Sequence, residues 1–153
     1  MKKRYYVAYG SNLNITQMSY RCPGAKVIGT GLIPNYRLLF KGSGTGSYLT
    51  IEKCKGKSVP VAVWDVTKED ERALDRYEGY PRFYYKAELS LPIKSIKTGR
   101  TMQKNVFVYI MDESRSCGIP TKTYMRTCID GYHDFGFHTG TLMEALEDTM
   151  EEI

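Results

Sequence analysis

Tyr9-Gly10-Ser11-Asn12-Leu13 and, 65 residues further on, Leu74-Asp75-Arg76-Tyr77-Glu78-Gly79 organise this chain. The first stretch closes a short, mostly apolar run, Arg4 to Tyr9, that reads as a strand. Asn14 then caps a helical turn to about Tyr20, which Pro23-Gly24 ends. Gly10 leaves room for backbone N–H groups to approach a ligand, and Ser11 and Asn12 add short polar side chains. Successive N–H groups in such a turn form a concavity suited to an anion or a developing oxyanion. The same residues also serve a plain strand-to-helix turn. A phosphate-binding Gly-rich loop is excluded, because its lysine and further glycines are missing.

The second stretch ends a helix. Thr67 is its cap, Glu69, Asp70 and Glu71 in the first turn suit the positive end of the helix dipole, and Gly79 is placed to stop it. Glu78 therefore falls at the C-terminal end, where the dipole disfavours negative charge. Tyr77, Tyr80, Phe83, Tyr84 and Tyr85 surround it in sequence and reduce its access to water. Both effects push a carboxyl pKa upward, toward proton transfer at neutral pH. The alternative is a solvent-facing glutamate tolerated at a helix end. Asp75 and Arg76 read as surface pairs.

Working outward, Val27 to Ile33 and Tyr36 to Phe40 read as strands around Pro34-Asn35, and Gly42 to Ser47 as a loop. Tyr48 to Glu52 and Val59 to Val66 read as a hairpin whose tip carries Lys53, Lys55 and Lys57. Strands resume at Phe83 to Leu91 and Asn105 to Met111. Tyr124, Cys128, Ile129, Tyr132 and Phe135 form a helical stripe ended by Gly136. Thr141 with Glu144 has the spacing of a capping box for a last helix bearing Leu142, Ala145, Leu146 and Met150. The expected architecture is α+β: one domain over residues 1–153, with a mainly antiparallel, partly closed, barrel-like sheet and flanking helices.

Composition narrows the function classes. The 153 residues are 42% hydrophobic and 25% charged, which excludes wholesale disorder. The net charge of +5 is too mild to identify nucleic acid as the partner. Thirteen tyrosines against five phenylalanines and one tryptophan give unusual capacity for polar contacts inside clefts. The run after Lys2, Lys3 and Arg4 is too short for a signal peptide, and no apolar stretch reaches membrane-span length. Cys22, Cys54, Cys117 and Cys128 have neither metal-motif nor redox-motif spacing, so reduced thiols in a cytoplasmic protein are expected. His133 and His138 are five apart, which does not suit a metalloprotease pair on one helix face. A capping or dipole role near a helix end fits them better, and no metal site is expected.

Taken in order, these elements resemble the γ-glutamylcyclotransferase superfamily, including its AIG2-like members. The resemblance rests on the Tyr9–Leu13 loop after an N-terminal strand and on Val61-Ala62-Val63-Trp64-Asp65-Val66 before the helix that ends in Glu78-Gly79. It extends to Tyr85, seven residues beyond Glu78, and to a helix beginning at Pro120 to Tyr124 and leading to Gly131 and Gly136. It implies an acyl transfer in which a γ-glutamyl compound's own α-amine attacks its γ-carbonyl, releasing 5-oxoproline and an amine. Glu78 matches the family's catalytic glutamate, and Tyr9, Gly10, Ser11, Asn12 and Leu13 match its substrate-binding loop. Tyr85 and Tyr124 match tyrosines that line the pocket. The implied partner is a small γ-glutamyl substrate, with no cofactor. Phe137-His138-Thr139-Gly140 departs from the family's usual Leu-Pro ending, so substrate coverage there is expected to differ. Two other classes stay open: a non-catalytic small-molecule-binding module of the same fold, and a basic nucleic-acid-binding domain using tyrosines with Lys94, Lys97, Arg100 and Lys104.

Overall fold

The computed structural model describes residues 3–153. Six strands form one sheet: β1 (Arg4–Ala8), β2 (Lys26–Ser43), β3 (Gly46–Val66), β4 (Tyr84–Ser95), β5 (Thr101–Met111) and β6 (Ser116–Cys117). Their order is β3-β1-β5-β4-β2-β6, and β3 also pairs with β2, so five strands close on themselves. Only β1 and β5 run parallel, meeting at Tyr6 and Phe107, and every other pairing is antiparallel. Closure removes the edges an open sheet would expose. Val7, Phe40, Ile51, Val61, Val63 and Val108 fill the interior with side chains that are fully buried. No helix among the described residues is long and apolar enough to cross a membrane.

The pairing of the second and third strands differs from the sequence expectation. Tyr48 to Glu52 and Val59 to Val66 are not two arms of a hairpin. They lie on one strand, β3, and both pair with β2: Leu38 faces Ile51, and Ile33 faces Val59. The Cys54–Lys57 segment is a bulge opposite Asn35, whose side-chain oxygen accepts the Gly56 N–H at 3.1 Å. The true hairpin turn is at Ser43–Gly46, inside the stretch read as a loop. β4 and β5 also run further than expected, to a turn between Ser95 and Thr101.

Four helices flank the barrel: α1 (Ile15–Arg21), α2 (Lys68–Glu78), α3 (Lys122–Asp134) and α4 (Gly140–Glu152). Asn14 caps α1 through the Gln17 N–H, and Asp134 accepts the Ile15 N–H at 2.9 Å. Thr67 and Asp70 form a reciprocal capping box on α2, and Gly79 ends it in the left-handed region at φ 64°. The box expected at Thr141 and Glu144 does not form. His138 Nδ1 instead accepts the Gly140 N–H at 3.2 Å, and the Glu144 carboxylate binds Lys57 at 2.8 Å. A buried Thr149 hydroxyl takes the Phe40 N–H at 2.9 Å, docking α4 on β2.

Candidate active site

β1 delivers the chain to Tyr9 and Gly10, and a 3₁₀ turn, Ser11–Leu13, carries it into α1. α2 runs toward this turn and ends beside it, with Glu78 in its last position. Between them is a cavity of about 450 Å³, lined by seven tyrosines: Tyr6, Tyr9, Tyr48, Tyr77, Tyr84, Tyr109 and Tyr124. Among the described residues Glu78 is the only acidic side chain on its wall.

The carboxyl is poorly paired for a group so enclosed. Its one hydrogen bond among the described residues comes from the Asn12 side-chain amide at 3.5 Å, and the same nitrogen donates to the Tyr6 hydroxyl at 2.9 Å. Arg21 sets this orientation. Its guanidinium donates to the Asn12 carbonyl oxygen and lies 3.5 Å over the Tyr77 ring. Because Arg21 can only donate, the Asn12 oxygen must face it and the NH₂ must face Glu78. Burial among aromatic rings pushes the Glu78 carboxyl up to about 8, with the nearby Arg21 charge opposing the shift. Burial, with the charge of Glu78 adding to it, also raises the phenols of Tyr6 and Tyr9. They remain neutral hydrogen-bonding groups at neutral pH.

The loop is held from three sides. Tyr9 donates to the Tyr109 carbonyl at 2.7 Å, and the Ser11 hydroxyl is 3.2 Å from that of Tyr77. The Tyr124 hydroxyl accepts the Leu49 N–H at 3.0 Å, while Tyr84 donates to the Leu49 carbonyl at 2.8 Å. The N–H groups of Ser11 and Asn12 open the 3₁₀ turn and so have no acceptor within it. Gly10 has an ordinary φ of −129°, so its role is space: a Cβ there would meet Leu49 Cβ at 3.3 Å and the Tyr124 hydroxyl at 3.4 Å. Gly131 is tighter still. A Cβ on it would come within 2.6 Å of the Asn14 nitrogen, so only glycine lets α3 seat against the loop.

Six of the residues singled out from the sequence share this cavity: Tyr9, Gly10, Ser11, Asn12, Glu78 and Tyr124. Leu13 and Tyr85 do not line it. Leu13 is wholly buried in the core, and Tyr85 points off the opposite face of β4, where it donates to the Glu113 carboxylate. Tyr84, one residue earlier, fills the position on the cavity side. Asp75 and Arg76 also depart from the surface pairs expected of them. Asp75 binds Lys86 at 2.8 Å and accepts from the Tyr109 hydroxyl at 2.6 Å, whereas Arg76 lines the cavity. Sequence reasoning missed Arg21, Tyr6 and Tyr109. The four-residue spacing of Gln17 and Arg21 puts them on one face of α1, where they pair, but it does not tell which face meets the loop.

The gamma-glutamyl cyclotransferase, AIG2-like family model matches residues 6–126. The chain belongs to this family. Among solved structures, one gamma-glutamyl cyclotransferase superimposes with a TM-score of 0.78 at 22% identity, covering 99% of this chain and 89% of that one. A human protein, uncharacterized protein loc79017, gives 0.74 at 22% identity over 100% and 89%. An AIG2-like protein from Mus musculus gives 0.56 at 17% identity over 82% and 84%. At these identities the likeness is one of fold. No match was found among curated protein sequences. The cyclotransferase family and barrel expected from the sequence are both borne out.

Proposed function

We propose that the protein cleaves γ-glutamyl compounds by internal cyclisation, releasing 5-oxoproline and the attached amine. The observation that carries this reading is an underpaired carboxyl, pushed up to about 8 by burial and bonded only to the Asn12 amide among the described residues, on the wall of a tyrosine-lined cavity. The chemistry needs no protein nucleophile, because the substrate supplies its own α-amine. The protein's work is to fold the substrate into a near-attack conformation and to move protons.

An α-ammonium entering beside Glu78 favours the ionised carboxylate, which then accepts a proton from it. The freed amine attacks the γ-carbonyl carbon. In this reading the N–H groups of Ser11 and Asn12, unpaired within the 3₁₀ turn, receive the oxygen as it becomes negative. Glu78 returns protons to the departing nitrogen as the old C–N bond breaks. Two protons leave the α-ammonium as it becomes a lactam N–H, and two arrive on the leaving nitrogen as it departs as an ammonium. The step is therefore balanced without an external acid or base. Incubating the protein with γ-glutamyl amino acids, γ-glutamyl amines and glutathione should yield 5-oxoproline from at least one. Absence of 5-oxoproline from the whole panel, with the protein folded, would overturn the reading.

A further inference from the structure

The cavity has a floor and a rim with different chemistry. Tyr6, Tyr9, Ser11, Asn12, Leu49, Tyr84 and Tyr109 are buried, and the half-buried Glu78 borders them. Thr45, Arg76, Tyr77 and Gly79 line the same cavity and are exposed. A γ-glutamyl compound reacting at Glu78 places its reacting end on the floor, so whatever the amine carries emerges at the rim. Among the described residues the only charged side chain there is Arg76.

Arg76 has no carboxylate to answer it. No hydrogen bond or ion pair from its side chain is present among the described residues. Its neighbours three and four positions back along α2 are Arg72 and Ala73, and the positions three and four ahead, Gly79 and Tyr80, lie past the helix end; none is acidic. The adjacent Asp75 is engaged by Lys86 and the Tyr109 hydroxyl. The other cations near the cavity reinforce the sign. Arg115 sits 4.6 Å over the ring of Phe83, another lining residue, while Arg21 is committed to Asn12, Gln17 and the Tyr77 ring. A plain alternative is that Arg76 only complements the C-terminal end of the α2 dipole.

Resting on the cyclisation reading above, we infer that Arg76 is the specificity-determining residue at the rim: it binds a carboxylate on the leaving amine and so selects such amines over neutral or cationic ones. A guanidinium meets a carboxylate through paired N–H donors, a stronger contact than an ordinary exposed ion pair. An amine bearing a second positive charge would meet repulsion at the same rim.

The test compares γ-glutamyl-alanine with γ-glutamyl-alaninamide, which differ only in that carboxylate. Both turnover (as 5-oxoproline release) and affinity (by calorimetry) are measured for the wild type, Arg76→Gln and Arg76→Lys. The wild type should favour the acid by at least about fivefold, mainly in KM, since a rim contact is made equally in ground and transition states. Arg76→Gln should bring the ratio close to one, and Arg76→Lys should keep part of the preference. Equal handling of the two compounds by the wild type, or an undiminished preference in Arg76→Gln, would overturn the assignment. A dipole role alone lowers both compounds together and leaves the ratio intact. Preferential binding of the acid without release of 5-oxoproline would keep the carboxylate subsite and remove the cyclisation reading. Failure of both compounds to bind or react would remove both.

Discussion

Glu78 joins stability to function through one proton. Its folded pKa of about 8 lies above the ordinary 4.5, so between these values the native state holds a proton that the unfolded chain has released. Stability from this group is therefore present at low pH and is lost as pH rises through the window from about 4.5 to 8. Glu78→Gln removes that dependence. Thermal unfolding of the two proteins should diverge from pH 5 to pH 8 in favour of the variant and run parallel above pH 9. A constant difference across that range would show that the carboxyl titrates normally. The enclosure of Glu78 was legible because aromatic residues crowd it in sequence and Gly79 fixes the helix end. The exchange of Tyr85 for Tyr84 was not legible. Phe83-Tyr84-Tyr85 puts an aromatic on both faces of the strand, so two-residue alternation carries no information about which tyrosine points inward.

At the scale of elements, the loop depends on what packs behind it and in front of it. Gly131→Ala would drive a methyl into the Asn14 nitrogen and the Leu13 carbonyl carbon, 2.6 and 2.8 Å away. Backbone cannot swing aside as a side chain can, so a loss of about 1–3 kcal/mol in unfolding free energy is expected, together with reduced activity. Unchanged denaturant midpoint and turnover would mean that α3 does not brace the loop. Gly10→Val acts on the front. Its branched side chain crowds Leu49 and Tyr124, so KM should rise about tenfold or more while the circular-dichroism spectrum is retained. A folded variant with normal KM would reduce the loop to a turn. The helix caps at Asn14 and Thr67 could be read because each cap oxygen and the N–H that donates to it are neighbours in the chain. The Thr141–Glu144 box could not, since α4 begins at Gly140 and puts Thr141 inside the helix, while a distant lysine, Lys57, holds the glutamate.

For the molecule as a whole, the site exists because barrel closure brings chain ends together. β1 enters between β3 and β5, which sets the Gly10 loop at one end of the barrel, and α2 returns its last turn to that end. The antiparallel, barrel-like character follows from short turns between apolar runs. The actual partner of each run does not, because Cys54–Lys57 resembles a turn yet forms a bulge within one strand. The Asn12–Arg21 pair, Glu78 and Tyr109 come from three parts of the chain and meet only after closure, which explains why local patterns could not assemble them. The central claim is that this assembly moves protons through Glu78. The most direct measurement is 5-oxoproline release by wild type and Glu78→Gln on the best γ-glutamyl substrate, with thermal unfolding on the same preparations. The variant keeps the shape of the side chain but cannot carry the proton. Release should fall by at least ~10²-fold with stability retained or raised. Wild-type release from a folded Gln variant would contradict the assignment of Glu78.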